Sequence, residues 1–221
     1  PDDAIVLCNF GDASANHSTA VGALNATGWS AYQGIPMPIL YVCEDNGIGI
    51  STSTPRGWTA HQLQNYPAIR YYYADGANVS ETYAVARQAA EYIRRTRKPA
   101  ILHLKTQRFF GHAGADAEVA YRSNESIEQS FETDVLLQSA AQVIERGLCT
   151  GIQLSEKAQC WLQRIRRVGT EASARPRLEC AESVMASIVP KTLADDTQPL
   201  TSTQQQAVFA FDKRNFKKPQ P

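Results

Sequence analysis

The sequence predicts an α/β protein: a doubly wound, mainly parallel sheet followed by a helical carboxyl-terminal extension. Three observations carry that expectation. Four apolar runs of strand length stand at residues 4–10, 39–43, 69–74 and 100–105. Segments of helical character separate them, and strands that alternate with helices run parallel because each crossover returns the chain in the same direction. After Arg122 the strand signal stops and amphipathic helical periods take over.

Ala4 to Phe10 is a continuous apolar run between Asp3 and Gly11, the pattern of a strand buried on both faces. From Ser14 to Ala26 the residues are small, and Ala15, Ala20, Ala23, Leu24 and Ala26 let a helix pack closely on a sheet. Residues 28–38, with Trp29, Tyr32, Pro36 and Pro38, read as a loop. The runs at 39–43 and 69–74 are a second and a third buried strand, the latter stopped by Asp75-Gly76. Asn78-Val79-Ser80-Glu81 resembles a capping box. The helix after it sets Ala86, Ala89, Ala90 and Ile93 on one face. It ends in Arg94, Arg95, Arg97 and Lys98, cations that suit the negative end of the helix dipole. Pro99 stops it, and residues 100–105 form the fourth strand. Helices follow over 134–146, 155–168 and 178–189, and from Lys191 the chain turns polar, a linker or tail.

Composition narrows the function classes. Lys plus Arg number 22 and Asp plus Glu number 22, so no global field draws the chain to nucleic acid or to anionic lipid. Continuous apolar stretches, such as Ile35 to Cys43, are far shorter than the roughly 20 residues a membrane span needs. The five cysteines form no C-x-x-C pair, and Cys8 and Cys43 lie inside apolar runs as small hydrophobes, which suits a reducing compartment. A core strand starts almost at Pro1, so the chain is expected to be a piece of a longer polypeptide.

The chemistry concentrates at two strand ends. Gly11-Asp12-Ala13-Ser14 closes the first strand, and Glu44-Asp45-Asn46-Gly47-Ile48 closes the second. Ligands of open parallel sheets bind beyond the carboxyl ends of the strands. If these strands are neighbours, Asp12 and Asn46 face one crevice beside a helix amino terminus, which favours phosphate. A carboxylate aimed at phosphate is repulsive unless a hard divalent cation lies between them, held by Asp12, Asn46, a backbone carbonyl and diphosphate oxygens. The plainer alternative makes Asp12 an N-cap and Asn46 a turn residue. Neither G-x-G-x-x-G nor G-K-[ST] occurs at this position, which disfavours a simple nucleotide loop.

Here the residues resemble a known family. A G-D-G followed at the next strand end by N-N marks the magnesium and thiamine diphosphate site of thiamine-dependent enzymes, and this chain has "GDA" and "DN". The segment "KTQRFFGHAGADAEVAYRS", Lys105 to Ser123, is similar to the loop of the alpha chain in the decarboxylating component of 2-oxo acid dehydrogenase complexes. "ESIEQSFETDVLLQSAAQVIERGLCT" is similar to that family's helical carboxyl-terminal part.

The resemblance implies a thiamine diphosphate-binding fold with three parts. Residues 1–125 would be the diphosphate and magnesium part of the binding domain, its amino-terminal portion lying outside this chain; 126–190 the helical extension; 191–221 the tail. It implies magnesium ligands at Asp12, Asn46 and the Ile48 carbonyl, with the Ala13 and Ser14 amides approaching the diphosphate. His112 would face the reactive ring and serve as the catalytic residue, within a loop ordered by Arg108, Asp116, Tyr121 and Arg122. No role falls to His17, His61 or His103. The implied activity is oxidative decarboxylation of a small 2-oxo acid with acyl transfer to a lipoylated acyltransferase component. It needs a beta-type subunit or half that carries the activating glutamate. The implied location is the cytoplasm, or the mitochondrial matrix in a eukaryote. A transketolase-like or acetoin-cleaving enzyme, and a non-catalytic assembly module, are the alternatives.

Overall fold

In chain order the elements begin with β1 (Val6–Gly11), a 3₁₀ turn at Ser14–Asn16, α1 (Ser18–Tyr32) and β2 (Ile39–Asp45). A hairpin follows, β3 (Ile48–Gly49) and β4 (Thr52–Ser53), then α2 (Trp58–Gln64), β5 (Arg70–Asp75), α3 (Val79–Thr96) and β6 (Ala100–Lys105). The rest is helical: α4 (Asn124–Glu132), α5 (Val135–Glu145), α6 (Gly151–Ser173) and α7 (Ala181–Met185). This is a computed structural model, and it describes residues 3–188; the tail from Lys191 and the end of the helix expected over 178–189 lie outside them. The chain forms two compact units divided after Leu154.

β1, β2, β6 and β5 form one parallel sheet in that spatial order. Side chains alternate between its faces, so each strand feeds two cores. On one face Tyr41 and Cys43 of β2 and Ile101 of β6 pack with Leu24 of α1 and Leu63 of α2. On the other, Leu40, Ala100 and Leu102 pack with Ala89 and Ile93 of α3. Helices on both faces make the sheet doubly wound, as expected. The α1 face is pinned by a buried hydrogen bond of 2.8 Å between the hydroxyls of Thr27 and Tyr41.

Several local expectations shift. β1 is an edge strand with Val6 58% and Leu7 62% exposed, and Cys8 is exposed too, so this strand is not buried on both faces. Residues 14–16 make a separate 3₁₀ turn, and α1 begins four residues later than expected and runs on to Tyr32. His17 caps it, Nδ1 accepting from the Thr19 amide at 3.2 Å. Gly28 lies inside that helix because a Cβ there would come within 2.7 Å of the Pro67 carbonyl oxygen. The Asn78 carboxamide caps α3 by accepting from the Glu81 amide at 3.1 Å, but Glu81 reaches to the Asp75 amide instead of back to Asn78, so only half of a capping box forms. Arg97, in the left-handed region at φ 56°, ends α3 and donates to the Ala4 carbonyl at 3.1 Å.

Helix α6 is amphipathic, carrying Trp161, Leu162, Ile165 and Val168 along one side, all exposed. It extends beyond the expected 155–168 at both ends, whereas α7 covers only five residues. No helix among the described residues is long and apolar enough to cross a membrane.

Candidate functional site

β1 and β2 are neighbours and parallel, with Gly11 in register with Glu44, so the residues after them emerge at the same end of the sheet. Asp12 follows β1 directly and is 1% exposed. It is not an N-cap, because α1 starts only at Ser18 behind a cap formed by His17. Its Oδ2 accepts the Thr54 hydroxyl. Among the described residues no lysine, arginine or histidine pairs with it. A buried carboxylate without a cation is expensive unless something neutralises it.

The 48–62 segment folds over this strand end. Gly49 sits on Ala13, where a Cβ would lie 2.4 Å from the alanine methyl. Trp58 Nε1 donates to Asn16 Oδ1 at 2.7 Å, and Gln62 Nε2 to the Ala15 carbonyl at 3.2 Å. A cavity of about 360 Å³ remains, lined by Ala13, Asn16, Gly49, Thr52, Thr54 and Trp58 among others. A larger one, about 840 Å³, opens near Arg70, Arg94 and Arg95 at the opposite ends of the strands, where none of the expected site residues lie. Size therefore does not identify the site; the chemistry of the strand ends does.

At the end of β2 two side chains fold back on the chain. Asp45 Oδ1 accepts the Gly47 amide at 2.9 Å, and Asn46 Oδ1 accepts the Ile48 amide at 3.0 Å, with Gly47 in the left-handed region at φ 77°. Asn46 is thus a turn residue, and its second lone pair stays available. Asp12, Asn46 and the backbone carbonyl of Ile48 could supply hard oxygen donors, the type that suits magnesium rather than softer ions. Among the described residues no cluster of three His, Cys, Asp or Glu residues forms a competing metal site. Ala13 and Ser14 are exposed at the start of the 3₁₀ turn.

The 108–122 loop is held by a network of polar bonds. Tyr121 donates to Asp116 Oδ2 at 2.6 Å, and the same oxygen accepts the His112 amide at 2.7 Å. Those two bonds, the tyrosine first, hold the Asp116 carboxyl below its usual range. Arg108 Nη2 donates to the Tyr121 hydroxyl at 2.7 Å, and Glu118 pairs with Arg108 at 3.4 Å and Arg122 at 2.9 Å. Arg108 also donates to the carbonyl of Ile50 at 2.7 Å, tying this loop to the β3–β4 hairpin. Ile50, a β-branched residue, stands at φ 56°, a strained conformation of the kind functional sites hold. His112 itself is exposed on the loop. The four residues expected to order the loop do meet, and Glu118 joins them unforeseen, although its i,i+4 spacing to Arg122 was visible.

Two groups of residues escaped sequence reasoning. Thr54 and Trp58 lie 42 positions from their partners. The second is a chain across β5, β6 and β2: the hydroxyl of Tyr71 lies 2.7 Å from His103 Nδ1, and His103 Nε2 lies 3.0 Å from Asp45 Oδ2. Nearby, burial, then the charges of Asp45 and Asp12, push the Cys43 thiol up to about 12, so it stays neutral. The one available signal was a polar residue, His103, inside the otherwise apolar run 100–104.

Comparison with known proteins identifies the family. A family model described as "Dehydrogenase E1 component" matches residues 1–180. The pyruvate dehydrogenase E1 component subunit alpha of Rickettsia felis is 32% identical over 154 residues, covering 68% of this chain and 45% of the relative. The subunit of the same name in Rickettsia prowazekii is 29% identical over 183 residues, 81% of this chain and 54% of its own. The mitochondrial one of Dictyostelium discoideum is 26% identical over 183 residues, 80% and 46%. The chain spans about half the length of the curated relatives it matches. With a parallel α/β sheet, the two turns at its carboxyl end and a family match over most of its residues, the chain belongs to the dehydrogenase E1 component family.

Proposed function

We propose that the chain is the alpha-type portion of a thiamine diphosphate-dependent 2-oxo acid dehydrogenase, acting with magnesium and with a beta-type partner that carries the activating glutamate. The observation that carries this reading is Asp12: a buried carboxylate at a strand end, with no basic side chain paired to it among the described residues. Magnesium between that carboxylate and a diphosphate removes the conflict. The proposed ligands are Asp12, Asn46 and the Ile48 carbonyl, while the amides of Ala13 and Ser14 approach the diphosphate. Residues 1–125 form this binding part, 126–190 the helical extension and 191–221 the tail.

When bound, thiamine diphosphate supplies the electron sink for loss of carbon dioxide from the 2-oxo acid. The protein supplies position and proton traffic. Asp116 and Tyr121 fix the backbone of His112, so the imidazole has a limited arc in which to move. His112 is the proton carrier when the acyl group passes to a lipoyl arm on the acyltransferase component. The names of the relatives make pyruvate the first substrate to test.

Titration calorimetry of the full-length protein with thiamine diphosphate, with and without magnesium, tests the reading. Wild type is expected to bind only with magnesium, and Asp12→Ala to lose that binding while circular dichroism reports an unchanged fold. Equal affinities in the two proteins overturn the metal assignment.

A further inference from the structure

Beneath the turn that carries Asn46, a line of hydrogen bonds crosses three strands. The Tyr71 hydroxyl on β5 meets His103 Nδ1 at 2.7 Å, and His103 Nε2 meets Asp45 Oδ2 at 3.0 Å. His103 is 2% exposed and Asp45 13%. A carboxylate only accepts, so Nε2 carries the hydrogen, and Nδ1 is left to accept from the tyrosine. Burial above all pushes the Tyr71 hydroxyl up to about 12, so it keeps the proton that this bond requires. The ring of Tyr73 stands edge-on to His103 with 5.3 Å between centroids and closes that side.

The far end of the line is the turn itself. Asp45 Oδ1 accepts the Gly47 amide at 2.9 Å and faces Lys105 Nζ at 3.5 Å, while the Asp45 carbonyl accepts the Thr106 amide at 2.8 Å. Both carboxylate oxygens are thereby committed, one to the sheet through His103 and one to the turn through Gly47. Apolar residues of similar volume would hold three strands together about as well as buried polar ones. What a buried polar line adds is a single geometry, because each member fixes the rotamer or tautomer of the next.

We propose that Tyr71 and His103 are positioning residues that act through Asp45, locking the 45–48 turn so that Asn46 and Ile48 present their oxygens to the bound metal. The inference rests on the metal site proposed above, and its test is built to tell the two apart. Neither residue touches metal or diphosphate. Without the line, Asp45 can swing toward Lys105, the Gly47 amide loses its fixed acceptor, and the turn samples several geometries of which one binds.

The test uses the full-length protein assembled with its beta-type partner. Two measurements are made on wild type, Tyr71→Phe, His103→Leu, His103→Gln and Asp12→Ala. The first is magnesium-dependent thiamine diphosphate affinity by calorimetry; the second is hydrogen–deuterium exchange at the Gly47 amide in the metal-free protein. Removing partners that orient a metal ligand weakens metal affinity by about 10–100-fold, so Tyr71→Phe and His103→Leu are expected to bind at least about tenfold more weakly. In both, the Gly47 amide exchanges faster. His103→Gln keeps an N–H toward Asp45 and is expected to recover most of the loss. If His103→Leu does not assemble, Tyr71→Phe and His103→Gln decide the matter. Wild-type affinity in Tyr71→Phe beside lost binding in Asp12→Ala overturns the positioning role and leaves the metal site standing. Wild-type binding in Asp12→Ala overturns the metal site, and with it the inference as stated. A lowered thermal midpoint in Tyr71→Phe with unchanged affinity and exchange shows a purely structural bond and also overturns it.

Discussion

Gly49 and Ala13 share one small volume. The family's second G-D-G glycine is an alanine here, and its methyl occupies the space a side chain on residue 49 would need, 2.4 Å away. Gly49→Ala is therefore expected to destabilise the protein by about 1–3 kcal/mol, as overpacking does. Ala13→Gly introduced in the same chain should recover part of that loss. A double-mutant cycle of urea unfolding measures the coupling, and additive effects would show the contact to be unimportant. At this scale the sequence exposed Asp12 and Asn46, because a polar residue within a few positions of an apolar run's end has a strand end as its address. It could not expose Thr54 or the Tyr71–His103 contact. Those pairs are 42 and 32 positions apart, and only the folded sheet brings them together.

Among the elements, the four parallel strands and α3 were legible from apolar runs and caps. The seven-residue α2 was not. Its cap is Gly57 at φ 78° with no side-chain hydrogen bond, so neither length nor a capping residue announces it. The β3–β4 hairpin pairs only two residues from each strand, too few for a periodic signal. The 108–122 loop was legible by resemblance, and its polar network makes a pH prediction. The carboxyl of Asp116 lies below its ordinary 3.8, through the Tyr121 hydroxyl first and the His112 amide second. A depressed carboxyl contributes order above its unfolded value, and that order is lost as pH falls through the lower folded value. Protease cleavage within 108–122 is expected to stay constant from about pH 8 down to 5 and to rise only under strong acid. In Asp116→Asn it should be fast at every pH, and a rise centred near neutrality in wild type would contradict this.

For the molecule as a whole, the sheet has two edges among the described residues, and they differ in kind. β5 opens with an arginine, whose guanidinium lies over the Tyr72 ring at 5.9 Å. β1 offers Val6 and Leu7, both more than half exposed. An apolar edge with unpaired backbone groups is a template for another strand. Expressed alone, the 221-residue chain is expected to associate, and Leu7→Lys to reduce that association by placing a charge on the edge. Light scattering across a dilution series measures it, and an equally monodisperse wild type and variant would refute it. Such contacts need not close on themselves. A two-fold contact saturates after two copies, whereas an edge joined to an unlike edge leaves a fresh end after every addition. Growth of that second kind has no preferred size: the mean mass climbs steadily with concentration, and no single species dominates the distribution.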